Sequence, residues 1–189
     1  MYELILASKS PRRRELLLEL GYPVIFADIL VDEHLEGEYA PEAVAEAIAR
    51  KKASAFDAET LRNNQILVTA DTVVICNNQV MGKPHNREEA ISALKLLSNQ
   101  WHNVCTGVCL VSRNAQKSFT ETTRVHFKTL SDEEVLHYVE KFEPYDKAGS
   151  YGIQEWIGLI GIDRIEGCYY NVMGLPTSRL YQELQSLGQ

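Results

Sequence analysis

The sequence predicts an α/β protein, in which short apolar strands and amphipathic helices alternate. Three observations carry this. Leu4-Ile5-Leu6-Ala7 is an apolar run of strand length that turns through Ser8-Lys9-Ser10 into a helix opening at Pro11. Ile66 to Ala70 and Val73 to Cys76 are further runs of the same kind. From Pro41 onward, and again over 86–97, apolar residues recur at helical spacing instead.

Ser10 is placed to cap the first helix, with Pro11 at its first position. Leu16, Leu17 and Leu20 supply its apolar stripe and Gly21 ends it. Arg12, Arg13 and Arg14 fill its first turn. A helix N-terminus favours anions, so three cations there are unfavourable unless an anion sits in front of them. Backbone N–H groups, serine hydroxyls such as that of Ser8, and guanidinium forks together suit phosphate oxygens. The alternative is a basic turn that only meets water. Val24 to Ile29 reads as a second strand, leading into an acidic loop over 28–38 that contains Val31-Asp32-Glu33-His34.

The helix from Pro41 is expected to bury Ala43, Val44, Ala47 and Ile48. Lys51 and Lys52 follow, either as favourable cations near a helix C-terminus or with one of them reaching a ligand. Asp71 interrupts the next apolar run. A carboxylate there is costly to bury unless it is paired, hydrogen-bonded or bound to metal. Asn77-Asn78 reads as a two-residue hairpin turn returning through Gln79-Val80-Met81, and Gly82-Lys83-Pro84 is a sharp corner presenting one lysine. Asn86 and Glu89 open a helix whose buried side is Ala90, Ile91, Leu94 and Leu97. Val104 to Ser112 and Lys117 to Phe127 read as antiparallel strands around Arg113-Asn114. Ser131-Asp132-Glu133-Glu134 is a capping box for a helix to about Phe142. The stretch over 143–176 sets glycines beside polar residues, which marks either close backbone approach to a ligand or turns and a bulge. Thr177 to Leu187 is a final helix.

A chain of 189 residues suits one domain, 1–189, with room for two lobes. The net charge of −7 argues against a nucleic acid polymer or an anionic membrane as partner. The four cysteines form no C-x-x-C pair. Cys105 and Cys109 share a strand face, but buried thiols in a reducing compartment explain them better than a metal. With no signal segment and no run of membrane-spanning length, the expected location is cytoplasmic.

Five features then need one explanation: the anion-ready helix start, the acidic loop at Glu33, the helix lysine Lys52, the intrastrand Asp71 and the Gly82-Lys83-Pro84 corner. A nucleoside triphosphate with a divalent metal uses all five, since cations neutralise phosphate oxygens and carboxylates hold the metal. There is no G-x-x-x-x-G-K-[ST] loop, which excludes a P-loop NTPase.

Six motifs in order resemble the Maf family of nucleotide pyrophosphatases. They are Ser8-Lys9-Ser10-Pro11-Arg12-Arg13, Ala70-Asp71-Thr72-Val73-Val74, Gly82-Lys83-Pro84, Thr106-Gly107-Val108, Ala148-Gly149-Ser150-Tyr151-Gly152-Ile153-Gln154 and Tyr170-Asn171-Val172-Met173-Gly174-Leu175-Pro176. The resemblance implies a long mixed β-sheet flanked by helices, with two lobes and a central cleft, similar to inosine triphosphate pyrophosphatases. It implies hydrolysis of a nucleoside triphosphate to monophosphate and pyrophosphate, and a homodimer. Arg12, Thr72 and Gln154 match the positions that mark the branch acting on dTTP and UTP, a housecleaning activity that extends to modified pyrimidine nucleotides. Asp71 matches the catalytic base. The expected metal, Mg²⁺ or Mn²⁺, is assigned to Asp71 and Glu33, and the triphosphate to Ser8, Arg12, Arg13, Lys52 and Lys83. Two residues depart from the family pattern: Cys168 replaces a serine and Glu155 a glycine. The alternatives left open are 7-methyl-GTP as substrate, a general purine housecleaning activity, and a nucleotide-binding regulator of cell division without turnover.

Overall fold

In the computed structural model, which describes residues 2–187, the N-terminal run forms β1 (Glu3–Ala7). Helix α1 (Pro11–Glu19) follows, then β2 (Val24–Ala27), helix α2 (Pro41–Ser54) and the long strand β3 (Gln65–Cys76). Both β2 and β3 pair with β1 in parallel. The hairpin strand β4 (Gln79–Met81) runs antiparallel to β3. Asn77 and Asn78, with φ of 49° and 62°, supply the left-handed pair that a two-residue turn requires.

Helix α3 (Arg87–Leu97) leads to β5 (Trp101–Val111) and β6 (Gln116–Phe127), and helix α4 (Asp132–Phe142) follows. The chain ends with α5 (Trp156–Gly161), β7 (Ile162–Glu166), α6 (Tyr169–Met173) and α7 (Thr177–Ser186). Strand β7 is antiparallel to β6. The order β2-β1-β3-β5-β6-β7, with β4 on β3, makes a mixed seven-stranded sheet, as expected for the class.

The chain divides into two compact units. The first comprises Met1–Thr72, Thr106–Glu121 and Gly174–Gln189, and the second Val73–Cys105 and Thr122–Met173. The first has a core of Ile5, Ala7, Ala49, Ala53, Leu61, Leu67, Cys109 and Val111. The second is built on Val74, Cys76, Leu94, Leu97, Phe127, Tyr138 and Ile157. None of the four cysteines is in a disulfide; Cys76, Cys105 and Cys109 are buried and Cys168 is half-buried.

Three expectations need correction. Asp71 does not interrupt its strand, because β3 is continuous from Gln65 to Cys76. Strand pairing uses the backbone, and a polar side chain is accommodated where it finds partners, as Asp71 and Thr72 do. The inner stripe of α2 is Ala45, Ile48, Ala49 and Ala53, one position on from the expected one, while Ala43 is exposed. Small residues face inward because the helix backbone lies directly over Gly107 of β5: a Cβ there would sit 2.2 Å from Glu46 N. Between 143 and 176 the expectation assigned no helix or strand, whereas α5, β7 and α6 lie there. The helices have six and five residues, and β7 is mostly exposed, so none shows a full period of apolar residues. The other elements match within a few residues.

Candidate active site

In the first unit the site begins where β1 ends. Ser8 Oγ accepts the Ser10 N–H at 3.2 Å, and Ser10 Oγ accepts the Arg13 N–H at 3.5 Å as the cap of α1. No acidic residue occupies the first turn of this helix. Its three arginines part ways. Arg14 donates from Nε to Ser8 O at 3.1 Å, pairs with Asp28 at 3.6 Å and lies 4.9 Å from the Phe26 ring centroid, so it serves β2 and the loop. Arg12 is half-buried. Arg13 reaches furthest along the chain: its Nε donates to Gly174 O at 2.8 Å and its Nη2 to Thr72 Oγ1 at 2.9 Å. Thr72 in turn shares a 2.9 Å hydrogen bond with Thr106. Gly174, at φ +113°, has the left-handed backbone that glycine adopts without strain, and this aims its carbonyl at the guanidinium. Burial lowers the Arg13 pKa; Asp71 opposes this, Arg12 adds to it and Glu33 opposes it. A guanidinium starts so far above neutrality that it stays charged.

The second part of the site is a bridged pair of carboxylates. Lys52 Nζ lies 2.8 Å from Asp71 Oδ1 and 2.8 Å from Glu33 Oε1. The Asp71 and Lys52 side chains are only 13% and 15% exposed, whereas Glu33 is 49% exposed. Two contacts set the height of Lys52 over the sheet. Gly107 lets the α2 backbone down onto β5, and Thr69 Oγ1 on β3 donates to Ala49 O of α2 at 2.6 Å. Glu46 fixes the same helix on its flank, accepting from Ser118 Oγ at 2.7 Å and Thr120 Oγ1 at 2.9 Å.

Among the described residues no three His, Cys, Asp or Glu side chains converge. Two carboxylates do converge on one cation, here the Lys52 ammonium. Hard oxygen donors from one or two carboxylates, completed by phosphate oxygens, are how proteins hold Mg²⁺. Glu33 and Asp71 are thus the described carboxylates that could hold a divalent cation, in the place the Lys52 ammonium takes here.

Lys83 and Gln154 belong to the second unit. Lys83 is exposed at its corner, where Gly82 O accepts the Gly149 N–H at 3.1 Å. Gly149 and Ser150 are both left-handed, at φ 67° and 62°. Gln154 Oε1 is buried and has no hydrogen-bond partner among the described residues.

Beside Gln154 lies a polar cluster that sequence reasoning did not assemble. The Tyr138 hydroxyl donates to Glu155 Oε2 and accepts the Gly152 N–H at 3.0 Å. Lys147 Nζ lies 3.1 Å from Glu155 Oε1 and 2.7 Å from Asp146 Oδ1. Burial, then the bond to Glu155, push the Tyr138 phenol far above its ordinary range. Its only sequence signal was the glutamate at 155. Thr106 and Gly174, also without an assigned role, were visible only as members of motifs.

Of the nine site residues expected from sequence, Glu33, Lys52 and Asp71 form one cluster, and Arg13 and Thr72 are directly bonded. Arg12 and Ser8 lie on and just before the first turn of α1.

The chain is similar to known proteins over nearly its whole length. The dTTP/UTP pyrophosphatase of Bacteroides thetaiotaomicron is 46% identical over 187 residues, covering 98% of this chain and 96% of that protein. The dTTP/UTP pyrophosphatase of Phocaeicola vulgatus is 48% identical over 187 residues, with the same coverage. Among solved structures, the Staphylococcus aureus Ham1 protein shares the fold at a TM-score of 0.50 and 17% identity, covering 96% of this chain and 99% of that one. The family described as Maf-like protein matches residues 3–187. With that span matched and near-full-length relatives at this identity, the chain belongs to the Maf-like family.

Proposed function

We propose that this chain is a nucleoside triphosphate pyrophosphatase that hydrolyses dTTP and UTP to the monophosphate and pyrophosphate. The observation that carries the chemistry is the Lys52 ammonium held between Asp71 and Glu33 at 2.8 Å each. The choice of substrate follows the names of the full-length relatives.

In this reading Asp71 takes a proton from water as its oxygen attacks the α-phosphorus in line. The new bond is water oxygen to α-phosphorus; the bond broken is from that phosphorus to the oxygen bridging to the β-phosphorus. Pyrophosphate leaves with the electron pair. Lys52 fixes the Asp71 carboxylate through the hydrogen bond at Oδ1. Arg13, pinned by Gly174 and Thr72, holds a fixed positive charge, and such preorganised charge stabilises developing negative charge on phosphate. Ser8, Arg12 and Lys83 are proposed as further phosphate contacts. A divalent cation held by Glu33 and Asp71 would supply charge neutralisation at the phosphate oxygens. Gln154, with one donor and one acceptor end, is proposed to read the O4 and N3–H of uracil or thymine. Four cysteines without a disulfide suit a reducing, cytoplasmic setting.

The test is release of pyrophosphate and monophosphate from UTP, dTTP, CTP, GTP and 7-methyl-GTP, with Mg²⁺, with Mn²⁺ and with chelator. UTP and dTTP are expected to lead, and activity to vanish with chelator. No turnover on any nucleotide would leave a binding protein. A lead for 7-methyl-GTP would reassign the substrate, and activity that persists in chelator would remove the metal.

A further inference from the structure

The turn from Gly152 to Glu155 is closed twice. The Glu155 N–H donates to Gly152 O at 3.0 Å, an ordinary backbone turn. The Tyr138 hydroxyl then links the same two residues through side chains. It accepts the Gly152 N–H at 3.0 Å and donates to Glu155 Oε2. The other carboxylate oxygen, Oε1, lies 3.1 Å from the buried Lys147 ammonium. Gln154 therefore sits inside a double loop, and one of the two closures exists only because residue 155 carries a carboxylate.

The carboxylate also borders Gln154 itself. The point that a Cβ on Gly152 would occupy lies 3.0 Å from Glu155 Oε2 and 3.2 Å from Gln154 Nε2. The donor end of the amide thus faces the same small gap as a negatively charged oxygen, while the acceptor end, Oε1, is buried with no hydrogen-bond partner among the described residues. Rotating the amide by half a turn would bring its carbonyl towards the carboxylate, which is repulsive. The flip matters because uracil and thymine offer an acceptor at O4 and a donor at N3, and cytosine offers the reverse. A freely flipping amide would serve both.

We propose that Glu155 is a specificity-determining positioning residue, whose carboxylate, held by Tyr138 and Lys147, locks the turn so that Gln154 presents its amide in one orientation. This rests on the reading of Gln154 as the side chain that recognises the pyrimidine. The raised Tyr138 pKa fits the role, since the phenol must keep its proton to donate.

The experiment compares wild type, Glu155→Gln, Tyr138→Phe and the double variant. Each single change severs the Tyr138–Glu155 link or removes its charge. The ratio of kcat/KM for UTP to that for CTP is expected to fall about three- to tenfold in each, the range of one net hydrogen bond. The double variant is expected to fall no further than the larger single one, because both cut one device. A role confined to stability would lower both substrates alike and leave the ratio unchanged, which overturns the proposal, as would additive effects. A second readout needs no turnover. The ¹⁵N-labelled side-chain amide of Gln154, assigned by its loss in Gln154→Ala, is expected to shift in both single variants. If the wild type cleaves no pyrimidine nucleotide, the functional reading fails and this resonance alone decides: unmoved, the lock is wrong; moved, it stands.

Discussion

Gly107→Ala adds one methyl group in the first unit at a residue with no proposed contact to substrate, yet it should reach the reaction. The new Cβ would lie 2.2 Å from Glu46 N, and 2.3 Å from both Ala45 C and Glu46 Cα. All three are backbone atoms of α2, so no side chain can swing aside. Ordinary contact begins at 3.4 Å, which leaves the helix about 1.2 Å too low. It must rise or tilt by roughly that distance. Lys52 is six residues beyond Glu46 on the same helix, about 9 Å along its axis. A rigid rise would stretch the 2.8 Å contact between Lys52 and Asp71 to about 4 Å, past hydrogen-bonding range. The bonds from Thr69 to Ala49 O and from Ser118 and Thr120 to Glu46 would be strained in the same motion. Overpacking of this kind costs about 1–3 kcal/mol. For a chain of this size that is a Tm lower by roughly 2–12 °C. A displacement of ~1 Å at a catalytic group can cost on the order of 100-fold in rate. Thermal unfolding and kcat/KM on UTP are the assays. Gly82→Ala is the control for stability, because a Cβ there meets nothing within 4 Å. A Gly107→Ala protein with wild-type Tm and wild-type kcat/KM would refute the close approach and its link to Lys52.

Four further predictions follow from the same geometry. Asp71→Asn should keep the fold and lose on the order of 10²–10⁴ in turnover with saturating metal, the usual loss for a general base; near wild-type turnover would remove Asp71 from that role. Arg13→Ala loses bonds to Gly174 O and Thr72 Oγ1 and should cost about tenfold or more in kcat/KM, whereas Arg14→Ala, which serves Asp28 and Phe26, should cost less; equal losses would mean that the wrong arginine was assigned. Gln154→Glu should depress UTP and dTTP hydrolysis, because a carboxylate cannot donate to O4, and an unchanged ranking across the nucleotide panel would take Gln154 out of base reading. His102 is buried against the Tyr151 hydroxyl at 2.7 Å, and burial pushes its pKa down to about 4. The unfolded chain takes up this proton near pH ~6.5, so between about pH 6.5 and about pH 4 it binds more protons than the folded one. Stability from this residue is full above that window and falls by roughly 3 kcal/mol as pH drops through it. Urea unfolding across the window should show a shallower slope in His102→Gln, and identical slopes would contradict the assignment.

What could be read in advance was local chemistry. Ser10 and Pro11 start α1, and Ser131 with Glu134 starts α4 in a full capping box, because a cap involves residues three apart. Asn77-Asn78 turned as expected for the same reason. The α2 stripe is misplaced by one because its inner face is set by packing on β5, where Gly107, some sixty residues downstream, lies against the helix backbone. Asp71 looked like a break because its compensation, Lys52, comes from another element. Arg13 reads as a phosphate ligand by residue type, but its tie to Gly174 spans 161 positions and leaves no periodic trace. The Tyr138, Lys147 and Glu155 cluster escaped for a related reason. Each residue alone suits a solvated helix or turn, and only the fold brings them together.

The placement of the cysteines has a consequence for measuring motion. Burial pushes the Cys109 thiol up to about 11 and also raises that of Cys76, and the thiolate is the reactive form. In the folded chain a thiol reagent should therefore meet the half-buried Cys168 first. The buried thiols can react only as fast as their surroundings open. Cys109 belongs to the core of the first unit and Cys76 to that of the second. Their labelling rates, resolved by peptide mass spectrometry, would time the opening of each unit separately, so the unmodified chain carries a clock in each half.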